Sequence, residues 1–172
     1  PPYEVLCTPW LPFSDVLRLK MVEDMVENYY NSHQFDGTLG KLIPKFPSPF
    51  AFFEQLAEFY EERHAEQRKH SRVQRYELLL AFAQKSFPEE EQSFRQLLTI
   101  DYYLRERAKA RPSFAPDQAA YKEQLSEILR QTGKQNHVEA VLAGDGQVKY
   151  LVFDYENREP LTHAARVIEY KE

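Results

Sequence analysis

The stretch His137–Tyr155, HVEAVLAGDGQVKYLVFDY, decides the fold class. Before Gly133 the apolar residues recur at helical spacing, and from His137 the period becomes two. Val138–Leu142 reads as one strand. Val148–Tyr155, rich in β-formers, reads as a second. Between them Gly144-Asp145-Gly146 supplies residues that tolerate positive φ, a hairpin signal. Asn157–Pro160 then turns the chain and Thr162–Tyr170 makes a third strand. Three such strands form an antiparallel meander, with one face on the helices and the other partly exposed. Leu151, Phe153 and Tyr155 are the expected inner face. A sheet this small has two open edges, and either is a candidate surface for a homodimer.

Working outward, the residues before the meander read as helices. Pro1–Pro12 holds four prolines and is expected to be extended, pinned by Trp10 and Phe13. Cys7 is expected to be a buried filler. The helix within Leu17–Phe35 carries the stripe Leu19, Val22, Val26, Tyr29, His33, with Ser14 as its N-cap. Lys20 and Asp24 can pair on the wet side. Glu23, Glu27 and Tyr30 share another face, whose two carboxylates, without further ligands, read as solvated rather than metal-binding. A short helical piece follows near Thr38–Ile43. Ser48-Pro49 reads as N-cap and first-turn proline of a helix carrying Phe53, Leu56, Ala57, Tyr60 and His64. His64 on that stripe is expected to be packed. Ser71 caps the next helix, with Val73, Tyr76, Leu80, Ala83 and Phe87. Glu89–Glu91 open another, with Phe94, Leu97, Asp101 and Leu104. Asp117 caps the last, which ends near Gly133. The expected fold is therefore mainly α, an α+β protein. A bundle of about five helices over 1–136 precedes a small three-stranded antiparallel β-meander over 137–172, in one domain.

Composition bounds what such a fold does. At 172 residues the chain can bury a core without disulfides or metal. Twelve Phe and 11 Tyr make it aromatic-rich, while five Gly argue against a glycine-rich phosphate cradle. The net charge of -5 argues against a nucleic-acid surface. The one basic cluster, Arg63–Arg75 with Arg68, Lys69 and Arg72, is the candidate footprint of a protein or RNA partner. Its other reading is a solvated helix end. A single cysteine permits no internal disulfide and suits a reducing cytoplasm. No apolar run reaches about 18 residues, so no membrane span is expected. The chain opens without Met and is expected to be a piece cut from the C-terminus of a longer protein.

No motif assembles a catalytic, cofactor or metal set. His33, His64, His70, His137 and His163 have no local partners that mark them out. Asp101 is the unusual position, a carboxylate on an apolar stripe. It is expected to be a buried polar tie.

The residues Tyr3–Phe35, YEVLCTPWLPFSDVLRLKMVEDMVENYYNSHQF, carry a family resemblance. Phe46-Pro47-Ser48-Pro49-Phe50, Phe52-Phe53, Asp101-Tyr102 and Phe153-Asp154-Tyr155 add to it. Together they resemble a domain of unknown function at the C-terminus of bacterial cobalamin-binding radical S-adenosylmethionine proteins. In those proteins a central barrel holds a [4Fe-4S] cluster on three cysteines and cleaves S-adenosylmethionine. Cobalamin is the third candidate cofactor, and iron–sulfur oxidoreductase is the usual label of the whole chain. The resemblance implies that cluster, cofactors and catalysis belong to the parent chain, with none held here. It implies an accessory role, covering or shaping the barrel of the same parent chain. Tyr29, Tyr30, Asn31, Ser32 and Phe35 are the candidate surface facing that barrel.

Overall fold

The computed structural model describes residues 7–65, 70–144 and 146–170. Among the described residues six α-helices precede a three-stranded antiparallel sheet, so the fold is α+β and ends in a small meander. The chain divides into two compact units, Pro1–Ser86 and Phe87–Glu172. The sequence reading put its internal boundary at 136/137, where the period changes. The two helices before that point fall in the same compact unit as the sheet.

The first unit is helical. Helix α1 (Phe13–Met25) runs into a single π-helical turn, Val26–Tyr30, closed by the Asn31 N–H on the Val26 carbonyl at 2.9 Å. Helix α2 (Asp36–Leu42) runs into a 3-10 turn, and α3 (Pro49–Glu62) and α4 (Arg72–Ser86) follow. The caps of α3 and α4 match the residues that announce them. Ser48 Oγ accepts from the Ala51 N–H at 3.1 Å, one residue before the first-turn proline. Ser71 Oγ accepts from the Gln74 N–H while Gln74 Oε1 accepts from the Ser71 N–H, a reciprocal box. Ser48→Ala is expected to lower the unfolding free energy by about 1 kcal/mol, read from the urea midpoint at unchanged slope.

The aromatic content is concentrated in this unit's interior. Phe52 is fully buried and meets Phe46, Phe53 and Phe82 edge-to-face, at centroid distances of 5.2, 4.8 and 5.9 Å. Phe35 lies between Tyr29 and Tyr76, at 4.8 and 4.4 Å. Rings pack well at such separations in tilted or edge-on arrangements.

Some expectations for this unit are corrected. Helix α1 begins at Phe13, so Pro12 rather than Ser14 sits at its N-cap. Trp10 and Phe13 do not pin the segment: they are 92% and 52% exposed. Cys7 is exposed. His33 and His64 adopt positive φ, 53° and 50°, just past helical segments, and both are exposed. The apolar stripe continues in the sequence where the helix does not.

In the second unit a 3-10 turn leads into α5 (Glu91–Arg105). Another precedes α6 (Lys122–Thr132), which ends at Gly133 with φ 109°. Strands β1 (His137–Leu142), β2 (Val148–Asp154) and β3 (Arg166–Tyr170) pair in that order. His137 lies opposite Phe153, Glu139 opposite Leu151, and Val152 opposite both Val138 and Ile168. Alternate residues therefore point to opposite faces. Val138 and Val152 pack with Ile128 of α6, with Leu125 and Leu129 beside them. Phe153, on the other face, lies 6.0 Å from the Tyr103 ring of α5. Both faces are thus covered along β1 and β2, where the sequence suggested one. The third strand is shorter than expected, because Thr162–Ala165 is tied into a turn by Arg105 on the Thr162 carbonyl and by the Ala165 N–H on the Leu104 carbonyl. The outer edge of β1 is closed by side-chain amides. Gln96 both donates to and accepts from the Leu142 backbone, and Gln118 donates to the Ala140 carbonyl.

Candidate functional site

Glu139 is a buried charged residue of the second unit. It sits mid-strand in β1 with 1% exposure, on the face it shares with His137 two residues earlier. A carboxylate taken out of water needs charged or hydrogen-bonded compensation. Glu139 has three donors. Arg111 donates from Nη1 to Oε1, His137 Nε2 meets the same oxygen at 2.6 Å, and Gln118 Nε2 donates to Oε2 at 2.5 Å. Arg111 and Gln118 come from the connection between α5 and α6, and His137 from the strand itself.

Each donor is held in turn. Arg111 Nη2 donates to the Pro116 carbonyl at 2.8 Å. The His137 ring stacks on Tyr103 with centroids 3.6 Å apart and planes 21° from parallel. A carboxylate only accepts, so His137 carries its proton on Nε2 and its other ring nitrogen is the free acceptor in the neutral form. Gln118 Nε2 meets two acceptors, Glu139 and the Ala140 carbonyl, which fixes the amide orientation. Its Oε1 is then a buried acceptor without a protein partner.

The tyrosines around this cluster are electrostatically marked. Burial pushes the Tyr103 phenol up to about 12, and the Glu139 charge adds to the shift while Arg111 offsets part of it. Burial likewise raises Tyr155, whose hydroxyl reaches the Tyr103 and Glu106 carbonyls at 2.9 and 3.0 Å. An unfolded tyrosine ionises near pH 10, below the folded phenol, so only the unfolded state gains charge there. Stability is therefore complete below pH about 10 and falls as pH rises towards 12, the value that Tyr103 reaches. Tyr103→Phe is expected to flatten that alkaline decline, checked by urea midpoints measured across it.

Arg111, Gln118 and His137 all line one cavity of about 400 Å³. Leu125, Leu129 and Val138 also line it, with Ala119 of the preceding 3-10 turn and Lys122, the first residue of α6. Glu139 thus lies behind a wall of side chains that it holds in place, as outer partners orient groups that meet a ligand.

The residues marked in the sequence fall elsewhere. Tyr29 and Phe35 are fully buried in the first unit, so neither belongs to an outward surface. Their size and apolarity place them in the core. The Tyr29 hydroxyl meets that of Tyr60 at 2.5 Å and donates to the Arg75 carbonyl at 3.0 Å. Burial, then the neighbouring Tyr60, raises its phenol well above 10. Tyr30 is 53% exposed, Asn31 is exposed with its amide on Glu27, and Ser32 is half-buried. These three remain at the surface. Asp101 is 3% exposed within α5 and is not free of partners. Of the basic cluster, Arg63 lies over the Phe59 ring at 4.3 Å and Arg72 opens α4. Arg68 and Lys69 lie outside the described residues.

Sequence reading missed Glu139, Arg111 and Gln118, and found no partner for His137. A signal was present: in a period-two strand His137 and Glu139 share a face, and each breaks the apolar pattern.

The fold and site define a small α+β protein with a three-donor carboxylate beside a cavity. The chain belongs to a protein family of unknown function, DUF4080, whose model matches residues 1–155. No curated protein and no solved structure matches it. No helix among the described residues is long and apolar enough to cross a membrane.

Proposed function

We propose that this chain is an accessory domain of a radical S-adenosylmethionine enzyme, docking on the barrel of its parent chain and shielding the reaction there. The observation that carries the reading is apolar surface left bare at the start of α1. Trp10 is 92% exposed, Phe13 52%, Leu17 46% and Leu19 43%. Phe13 and Leu17 share one face of α1, Trp10 lies in the segment before it, and Leu19 projects from the opposite side; exposed apolar surface of the first kind marks an interaction site. Tyr30, Asn31 and Ser32 are the second candidate contact. The resemblance of Tyr3–Phe35 to domains of such enzymes supplies the partner.

The residues present do not fit the cluster itself. A [4Fe-4S] cluster takes cysteine thiolates, and the chain has one cysteine. Among the described residues no group of three His, Cys, Asp or Glu side chains is placed to hold a metal ion. The cluster is therefore assigned to the parent chain; the resemblance, not this domain's residues, puts S-adenosylmethionine and any cobalamin there too, and the proposed contribution of this domain is exclusion of water and stray hydrogen donors.

Trp10→Ser with Phe13→Ser in the parent chain tests the reading. Both side chains are exposed, so the unfolding midpoint is expected to stay put while product formation falls about tenfold. Unchanged product formation would count against the docking.

A further inference from the structure

We propose that the cavity beside Arg111, Lys122 and His137 is a binding site for a small aliphatic carboxylate. The inference concerns the second unit alone and holds whether or not the docking reading does.

The body of the ligand follows from the apolar lining. Leu125, Leu129 and Val138 form it. A volume of about 400 Å³ lies at the low end of small-molecule sites and suits a short chain.

The head group follows from the donors. Arg111 directs N–H groups to Glu139 and Pro116 and also hydrogen-bonds the Tyr103 phenol, which still leaves part of a five-donor fork for a ligand. Lys122 has no ion pair among the described residues. It is also the first residue of α6, where a cation opposes the helix dipole. An anion at that point relieves the opposition and gains from both the ammonium and the helix terminus. The one carboxylate among the lining residues is Asp117, and its Oδ1 already accepts the Ala119 N–H at 3.0 Å. Two cations, Arg111 and Lys122, therefore stand against one carboxylate on this wall, while Gln118 Oε1 and the second His137 ring nitrogen are neutral acceptors beside them. Glu139 lies behind the wall and is compensated by its three partners, so it does not repel the ligand as an exposed acid would.

Two other cavities among the described residues lack this combination. The groove along α1 and α3 pairs its charges internally, with Arg18 on Glu54 at 2.5 Å. The one between α6 and the sheet is lined by Glu123 and Glu127 and offers no cation.

The test is a titration of the intact chain with pentanoate, pentanol and pentylamine, followed through the backbone amide resonances of Ala119 and Val138. Pentanoate is expected to shift both saturably, pentanol to bind about tenfold more weakly, and pentylamine not to compete. Lys122→Ala is expected to weaken pentanoate about tenfold at an unchanged unfolding midpoint. Ser126→Trp places a ring at the cavity wall from an exposed position and is expected to abolish the shifts. Absence of any pentanoate shift, equal binding of pentylamine, or full-strength binding to the Lys122→Ala chain would overturn the proposal.

Discussion

Arg111→Met is expected to lower the unfolding free energy by about 3 kcal/mol, among the largest effects of any single substitution at a partly exposed position. The guanidinium is about a third exposed, yet the carboxylate that it meets is 1% exposed. Removing the cation leaves a buried charge with His137 and Gln118 as its remaining donors. Breaking a buried pair from one side is expensive for that reason, and the two surviving donors hold the figure to the low end of about 3–5 kcal/mol. The contrast is Arg130, which pairs with Glu127 at 2.8 Å on the open surface of α6. Arg130→Met is expected to leave the urea midpoint where it is, since solvent screens exposed pairs. A double substitution of Arg111→Met with Glu139→Leu is expected to recover most of the loss, because no unpaired charge then remains. Failure of that rescue would mean that Arg111 acts through packing rather than through Glu139.

Phe52→Ala is expected to cost about 3–5 kcal/mol, the other large loss. Its ring is fully enclosed by Phe46, Phe53 and Phe82, and the neighbours are themselves large and rigid, so the cavity cannot collapse. Phe50, two residues earlier and half exposed, provides the comparison within the same helix. Phe50→Ala is expected to change stability little. Equal losses from the two would contradict the assignment of Phe52 to the core.

These residues show what a sequence can and cannot disclose. Ser48-Pro49 and the Ser71–Gln74 box are local devices, and both caps were legible because every participant lies within one turn. The change of period at His137 was legible for the same reason, and it decided the fold class. Helix ends were less so. His64 continues an apolar stripe in the sequence, but the backbone turns to positive φ there, and nothing in the spacing announces it. Tyr29 and Phe35 stood out as aromatics beside a polar turn. Their burial depends on α3 and α4, which bring Tyr60 and Tyr76 to them across long separations.

The site was half legible. His137 and Glu139 lie two apart on a strand, which puts them on one face by geometry alone. Arg111 and Gln118 reach that face from an irregular connection whose path no periodicity encodes. The same holds for the covering of both sheet faces. Alternation marks which residues point together, but not how many helices arrive to cover them.

The proposed docking covers the bare apolar surface of α1 with a longer parent chain. Hydrogen–deuterium exchange over Trp10–Lys20 measures that cover, comparing these 172 residues alone with the same residues in a proposed longer parent chain. The account predicts that these amides exchange markedly more slowly in the parent, while those of the buried α3 positions Phe52–Tyr60 exchange alike in both. Identical rates over Trp10–Lys20 in the two would contradict it.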